Sequence, residues 1–156
     1  MRFNEGVFGV VFAAMCLLGN QMVFAHCEIP CGIYNDSLRI ALIEEHIGTV
    51  EKSMNSIVNL SKEKETDYNQ LVRWIDNKEA HARNIQEIVW QYFMNQRIKP
   101  VKADQGKAYR KYVKEITLLH EMLIFAMKSK QTTDIANVEK LKKLIAEFKK
   151  SYFSMK

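Results

Sequence analysis

The chain reads as an all-α protein, an antiparallel up-and-down four-helix bundle preceded by a short segment in which two of its three cysteines and one histidine gather. Two observations predict the bundle. Apolar residues recur at alternating steps of three and four in four separate stretches of the 156-residue chain, which places each set along one side of a helix. Nowhere does apolar alternate with polar at the period of two that a half-buried strand requires. A third observation sets the topology: the breaks between stretches are short and polar, and short links make consecutive helices antiparallel neighbours.

Residues 1–25 have the layout of a secretory signal peptide. One early cation, Arg2, precedes an apolar run from Val7 to Leu18, a polar step at Gly19-Asn20-Gln21, and Val23-Phe24-Ala25 with a small residue last. Glu5 dilutes the positive start, and the run is shorter than the roughly 20 apolar residues a membrane span needs. Cleavage is expected between Ala25 and His26, removing Cys16. A lipoprotein reading of Cys16 fails because Met15 stands where a small residue is required. An uncleaved membrane anchor is the rival, and it would tie up the His26 nitrogen in a peptide bond.

Cleavage there would expose His26-Cys27-Glu28-Ile29-Pro30-Cys31-Gly32-Ile33-Tyr34 at a free N-terminus. Within six residues lie an α-amine, an imidazole, the amide nitrogen of Cys27 and the thiolates of Cys27 and Cys31. The amine and the next amide close one small chelate ring; that amide and its own sulfur close another. Cys31 can return to complete an N2S2 square, a geometry that points to Cu(II) or Ni(II) rather than to zinc or iron. Paired C-x2-C repeats of a structural zinc ribbon are lacking. Pro30 restricts φ, and Gly32 reaches backbone conformations closed to other residues, so the segment can turn back on itself. Two thiolates and a deprotonated amide are strong electron donors that bring Ni(III) within reach of Ni(II), with the His26 imidazole available as an axial ligand in the oxidised state. The same cysteines could instead close a disulfide in an oxidising compartment.

The string H-C-x-x-P-C-G-x-Y resembles the nickel-binding hook of nickel-containing superoxide dismutases. The resemblance implies one nickel ion per subunit, held by His26 through amine and imidazole, by Cys27 through amide and sulfur, and by Cys31 through sulfur. Tyr34 matches the family tyrosine near the substrate opening, and with the three ligands makes up the catalytic set. The implied activity is antioxidant: superoxide is disproportionated to dioxygen and hydrogen peroxide as the metal alternates between Ni(II) and Ni(III). A four-helix bundle and a homohexamer are implied as well. Glu28 stands where the family usually has Asp. The family commonly orients its axial histidine through a carboxylate on the first helix and an arginine on the second. Here the carboxylate position after Arg39-Ile40 falls on Ala41, leaving Glu44 or Glu45 and Arg73 or Arg83 as candidates.

The bundle is expected over 35–156. Asn35-Asp36-Ser37 signals a helix start, with Asp36 or Ser37 able to cap it, and Ile40, Ile43, Ile47, Val50, Met54 and Ile57 form its seam. After a polar break at 61–64 comes a second helix over about 66–96. Its seam is Leu71, Ile75, Ala82, Ile85, Val89 and Tyr92, flanked by Trp74, Trp90 and Phe93. Pro100 ends it. The third starts near Asp104 and follows Tyr109, Tyr112, Ile116, Leu119, Leu123 and Ala126 to about Ser129. Gln131-Thr132-Thr133 makes the last turn, and Val138, Leu141, Ile145, Phe148 and Tyr152 mark the fourth helix. Trp74, Trp90 or Ile124 is expected to stay exposed and to favour self-association.

Several classes are disfavoured. The 23 basic and 18 acidic residues are interspersed, and pairs such as Lys142-Lys143 and Lys149-Lys150 suit a solvated helix face rather than a nucleic-acid patch. No glycine-rich phosphate cradle is present. His46, His81 and His120 lack the Glu three residues earlier that di-iron bundles use, and read as exposed or partner-bonded. Two alternatives to the enzyme stand: an exported interaction protein with a Cys27–Cys31 disulfide, and a copper- or nickel-handling module without turnover. A general secretory leader implies a periplasmic or extracellular site with no membrane anchor after cleavage; a dedicated processing protease would allow a cytoplasmic one.

Overall fold

Asn35 starts the first helix, not Asp36 or Ser37: its side-chain oxygen accepts the Leu38 N–H at 3.0 Å, satisfying one of the donors a first turn leaves over. The computed structural model describes residues 32–154; the leader at 1–25 and the hook residues His26, Cys27 and Cys31 lie outside them. Helix α1 is Asp36–Leu60 and α2 is Tyr68–Glu87, continued by a π-helical segment, Ile88–Arg97. A 3-10 turn, Ala103–Gln105, leads into α3, Gly106–Gln131, and α4 is Ile135–Phe153. No strand occurs among the described residues. The chain divides into two units, Met1–Cys31 and Gly32–Lys156, and the four helices belong to the second.

The helices close a ring, α1 on α2, α2 on α3, α3 on α4 and α4 on α1, as the all-α up-and-down bundle requires. The whole α1 seam from Ile40 to Ile57 is buried. Against it pack Ala82, Ile85 and Val89 from the second helix, Leu119, Met122 and Ala126 from the third, and Val138, Leu141 and Ile145 from the fourth. One end is closed by aromatic rings: Phe93 meets Tyr92 and Phe148 edge-on, each at 5.0 Å between centroids, and Tyr152 at 5.7 Å. The antiparallel order brings the start of α1, the end of the π segment and the end of α4 to this same end.

Three details depart from the sequence expectation. In α2, Ile75 is 37% exposed while Lys78, at 4%, takes the next seam position. The Lys78 ammonium donates to the carbonyls of Lys130 and Thr132, oxygens that the end of α3 would otherwise leave without partners, and burial pulls its pKa below the usual lysine value. In α3 the inward face is turned by about one residue. Glu115 and Met122 are buried, and Tyr112, Ile116 and Leu123 sit at the margin, because Glu115 accepts bonds from Lys111 and the Ser151 hydroxyl. Trp74 is half-buried under Lys52, while Trp90 and Ile124 are exposed.

The π segment is the third departure. Ile98 N–H bonds to the Phe93 carbonyl, a five-residue step, and each such wide turn shifts the face that follows it. Continued α periodicity from Tyr92 would bring Gln96 over the bundle end. The wider turn brings Arg97 instead.

Candidate functional site

Of the four expected site residues, Tyr34 lies among the described ones. Gly32 precedes it with φ 71°, a left-handed conformation that strains other residues, although a Cβ there would meet nothing within 4 Å. Glycine is thus required by backbone conformation, not by lack of space. Tyr34 is half exposed. Its ring lies under the Arg97 guanidinium, 4.2 Å from the centroid, and meets the Tyr92 ring edge-on at 6.1 Å.

Beneath Tyr34, Asp36 is buried and heavily bonded. Its Oδ1 accepts from the Tyr92 hydroxyl at 2.7 Å and from Arg97 Nε at 2.8 Å; its Oδ2 accepts from Arg97 Nη2 at 2.9 Å and from the Tyr152 hydroxyl at 3.0 Å. Three side chains from two elements, the π segment and α4, thus converge on one carboxylate of α1. Burial and then the Asp36 carboxylate push the Tyr92 phenol up to about 12 and raise that of Tyr152, while the hydrogen bond to Asp36 raises the Arg97 pKa further. Both tyrosines are therefore fixed as neutral donors at neutral pH. Arg39 lies over the other side of this cluster, 5.1 Å from the Tyr92 ring centre.

The carboxylate of α1 and the arginine at the end of the second helix that pair with one another are thus Asp36 and Arg97. Glu44 is exposed and paired with Lys149 at 3.0 Å, and Glu45, Arg73 and Arg83 are exposed. The register did contain a sign of Asp36, which stands four residues before Ile40 on the buried seam. Nothing local marked Arg97, which reaches the cluster through the π segment.

The bundle histidines have other partners. His46 and His81 face each other across α1 and α2, Nδ1 to Nδ1 at 2.9 Å, and burial, then the neighbouring His81, lower the His46 pKa. His120 is exposed. Among the described residues no three His, Cys, Asp or Glu side chains cluster as a metal site would require, and the chain has no cysteine after Cys31. No helix among them is long and apolar enough to cross a membrane.

The family model for nickel-containing superoxide dismutase matches residues 21–156, the H-C-x-x-P-C-G-x-Y string and the whole bundle together. The chain belongs to that family. No curated protein and no solved structure is significantly similar to it. As a nickel superoxide dismutase it is an oxidoreductase that acts on superoxide with nickel as cofactor. Residues 26–31 contain two thiols, an imidazole and main-chain nitrogen, a set that suits square-planar nickel.

Proposed function

We propose that the dismutase holds one nickel ion per subunit at an N-terminal hook formed by His26, Cys27 and Cys31. The observation that carries this reading is the distribution of donors. The bundle supplies neither a cysteine nor, among the described residues, a cluster of three ligating side chains, whereas six residues before it hold all the sulfur and nitrogen the ion needs. When bound, nickel supplies one-electron chemistry between Ni(II) and Ni(III). Across two turnover halves, two superoxide anions and two protons become one dioxygen and one hydrogen peroxide.

The chain's own residues prepare that chemistry. Removal of 1–25 would free the His26 amine; the family match leaves residues 1–20 of that leader outside it. Pro30 and Gly32 are residue types that favour a turn there. Tyr34, half exposed, is the candidate to hydrogen-bond a small anion. The bundle from 35 onward is scaffold. We further assign export to the leader and a homohexamer to the assembly, in which exposed apolar residues such as Trp90 and Ile124 would be covered.

A disulfide between Cys27 and Cys31, or metal carriage without turnover, accounts less well for a family match that spans hook and bundle. Intact mass with metal analysis of the purified protein separates the readings. A chain beginning at His26, with about one nickel and two free thiols after the metal is stripped, is expected on ligand-count grounds. Adding one residue before His26 should abolish nickel binding; the disulfide reading expects no effect.

A further inference from the structure

We propose that Arg97 is a positioning residue for the dismutase reaction: anchored by Asp36, it clamps the Tyr34 ring and thereby steadies the Gly32-Ile33 link through which the chain leaves the hook. The inference rests on the hook reading above. Its observations lie wholly in the bundle.

The guanidinium is used twice. Its edge gives two parallel N–H bonds to the Asp36 carboxylate, Nε to Oδ1 and Nη2 to Oδ2, which fixes the plane of the group. Its central carbon lies over the Tyr34 ring, 4.2 Å from the centroid. A planar, permanently charged fork can serve a carboxylate with its edge and a ring with its face at the same time; an ammonium group offers neither a plane nor a second parallel donor. Tyr92 and Tyr152 hold the far side of Asp36, so the carboxylate cannot swing to follow a displaced arginine. Ahead of the Asn35 cap and the buried Asp36, the segment being held is open to solvent: Ile33 is 77% exposed. Tyr34 stands three residues after Cys31, and catalysis by a positioned group is lost steeply when that group moves by as little as an ångström.

The test uses the mature full-length chain and compares wild type with Arg97→Lys. In metal-free protein, amide hydrogen exchange over residues 32–38 should be about threefold to thirtyfold faster in the variant, the range that losing one cation–π contact implies, with α3 and α4 unchanged. With nickel loaded to the same stoichiometry, kcat/KM for dismutation should fall about tenfold. Tyr34→Leu and the double variant should show nearly the same loss, because the two residues act as one. Exchange at wild-type rates in Arg97→Lys, or additive losses in the cycle, would overturn the proposal. If Arg97→Lys loosens the whole bundle, Tyr34→Leu alone decides, since it leaves the Asp36 bonds in place. Faster exchange over 32–38 then supports the clamp, and unchanged exchange refutes it. Wild type that carries no nickel would instead refute the hook reading, and is scored separately.

Discussion

Asp36 and Arg97 meet across 61 positions of chain in a two-pronged ion pair, Nε on Oδ1 at 2.8 Å and Nη2 on Oδ2 at 2.9 Å. The pair joins the first turn of α1 to the last residue of the π segment, and two tyrosine hydroxyls complete the shell of the carboxylate. Bidentate arginine–carboxylate bonds are the strong kind, yet a buried pair stabilises a fold mainly through what its loss leaves behind.

Removing one partner should therefore be costly. Asp36→Ala strands the Arg97 charge and two phenol hydroxyls, and is expected to lower unfolding free energy by about 3 kcal/mol. Urea denaturation of the metal-free protein checks this. A loss below about 0.5 kcal/mol would place the pair with ordinary surface ion pairs.

The same cluster sets an alkaline limit. Tyr92 titrates near 10 in the unfolded chain and at about 12 in the fold, so the unfolded chain releases that proton first. The associated stability is full below pH 10 and is lost as pH rises through 12. Denaturation midpoints measured from pH 9 to 12 should fall, and should fall less steeply in Tyr92→Phe. Equal slopes would remove Tyr92 as the cause.

At the acid side, the His46–His81 pair acts in the opposite sense. The folded-state pKa of His46 lies below its ordinary 6.5, so the unfolded chain takes up the proton first. Stability contributed above pH 6.5 declines as pH falls toward and through the folded value. Nearby Glu45 opposes the shift. Urea midpoints should drop between pH 7 and 5, and the drop should shrink in His46→Gln; an unchanged drop would assign the acid sensitivity elsewhere.

How much of this was legible in the sequence depended on range. The α1 seam and the fourth helix were readable because each apolar residue reports its own face. Lys78 and Glu115 were not, since a charged side chain in a seam position looks like a gap until its distant partners, the carbonyls at the end of α3 and the Ser151 hydroxyl, are known. Asp36 was noticed as a capping residue and is instead the hub of the cluster. Arg97 was invisible because a π segment alters the periodicity from which its direction would be judged. The proposed ligands His26, Cys27 and Cys31 rest on residue type and order within six residues, and lie outside the described residues.

Ligand roles within the hook can be told apart. His26→Gln keeps the amine, the Cys27 amide and both sulfurs, so it should retain nickel while slowing dismutation by about 10- to 100-fold, as loss of a group that tunes a metal does. Nickel content and turnover measured on one preparation check the two halves of that statement. Loss of the metal itself would show the imidazole to be an essential anchor rather than an axial tuning ligand.

The central claim is that all the nickel is held by the hook, and the nickel content of the purified Cys27→Ser, Cys31→Ser double variant tests it most directly. The account predicts a folded helical bundle with no stoichiometric nickel. A variant that still carries one nickel per chain would contradict it.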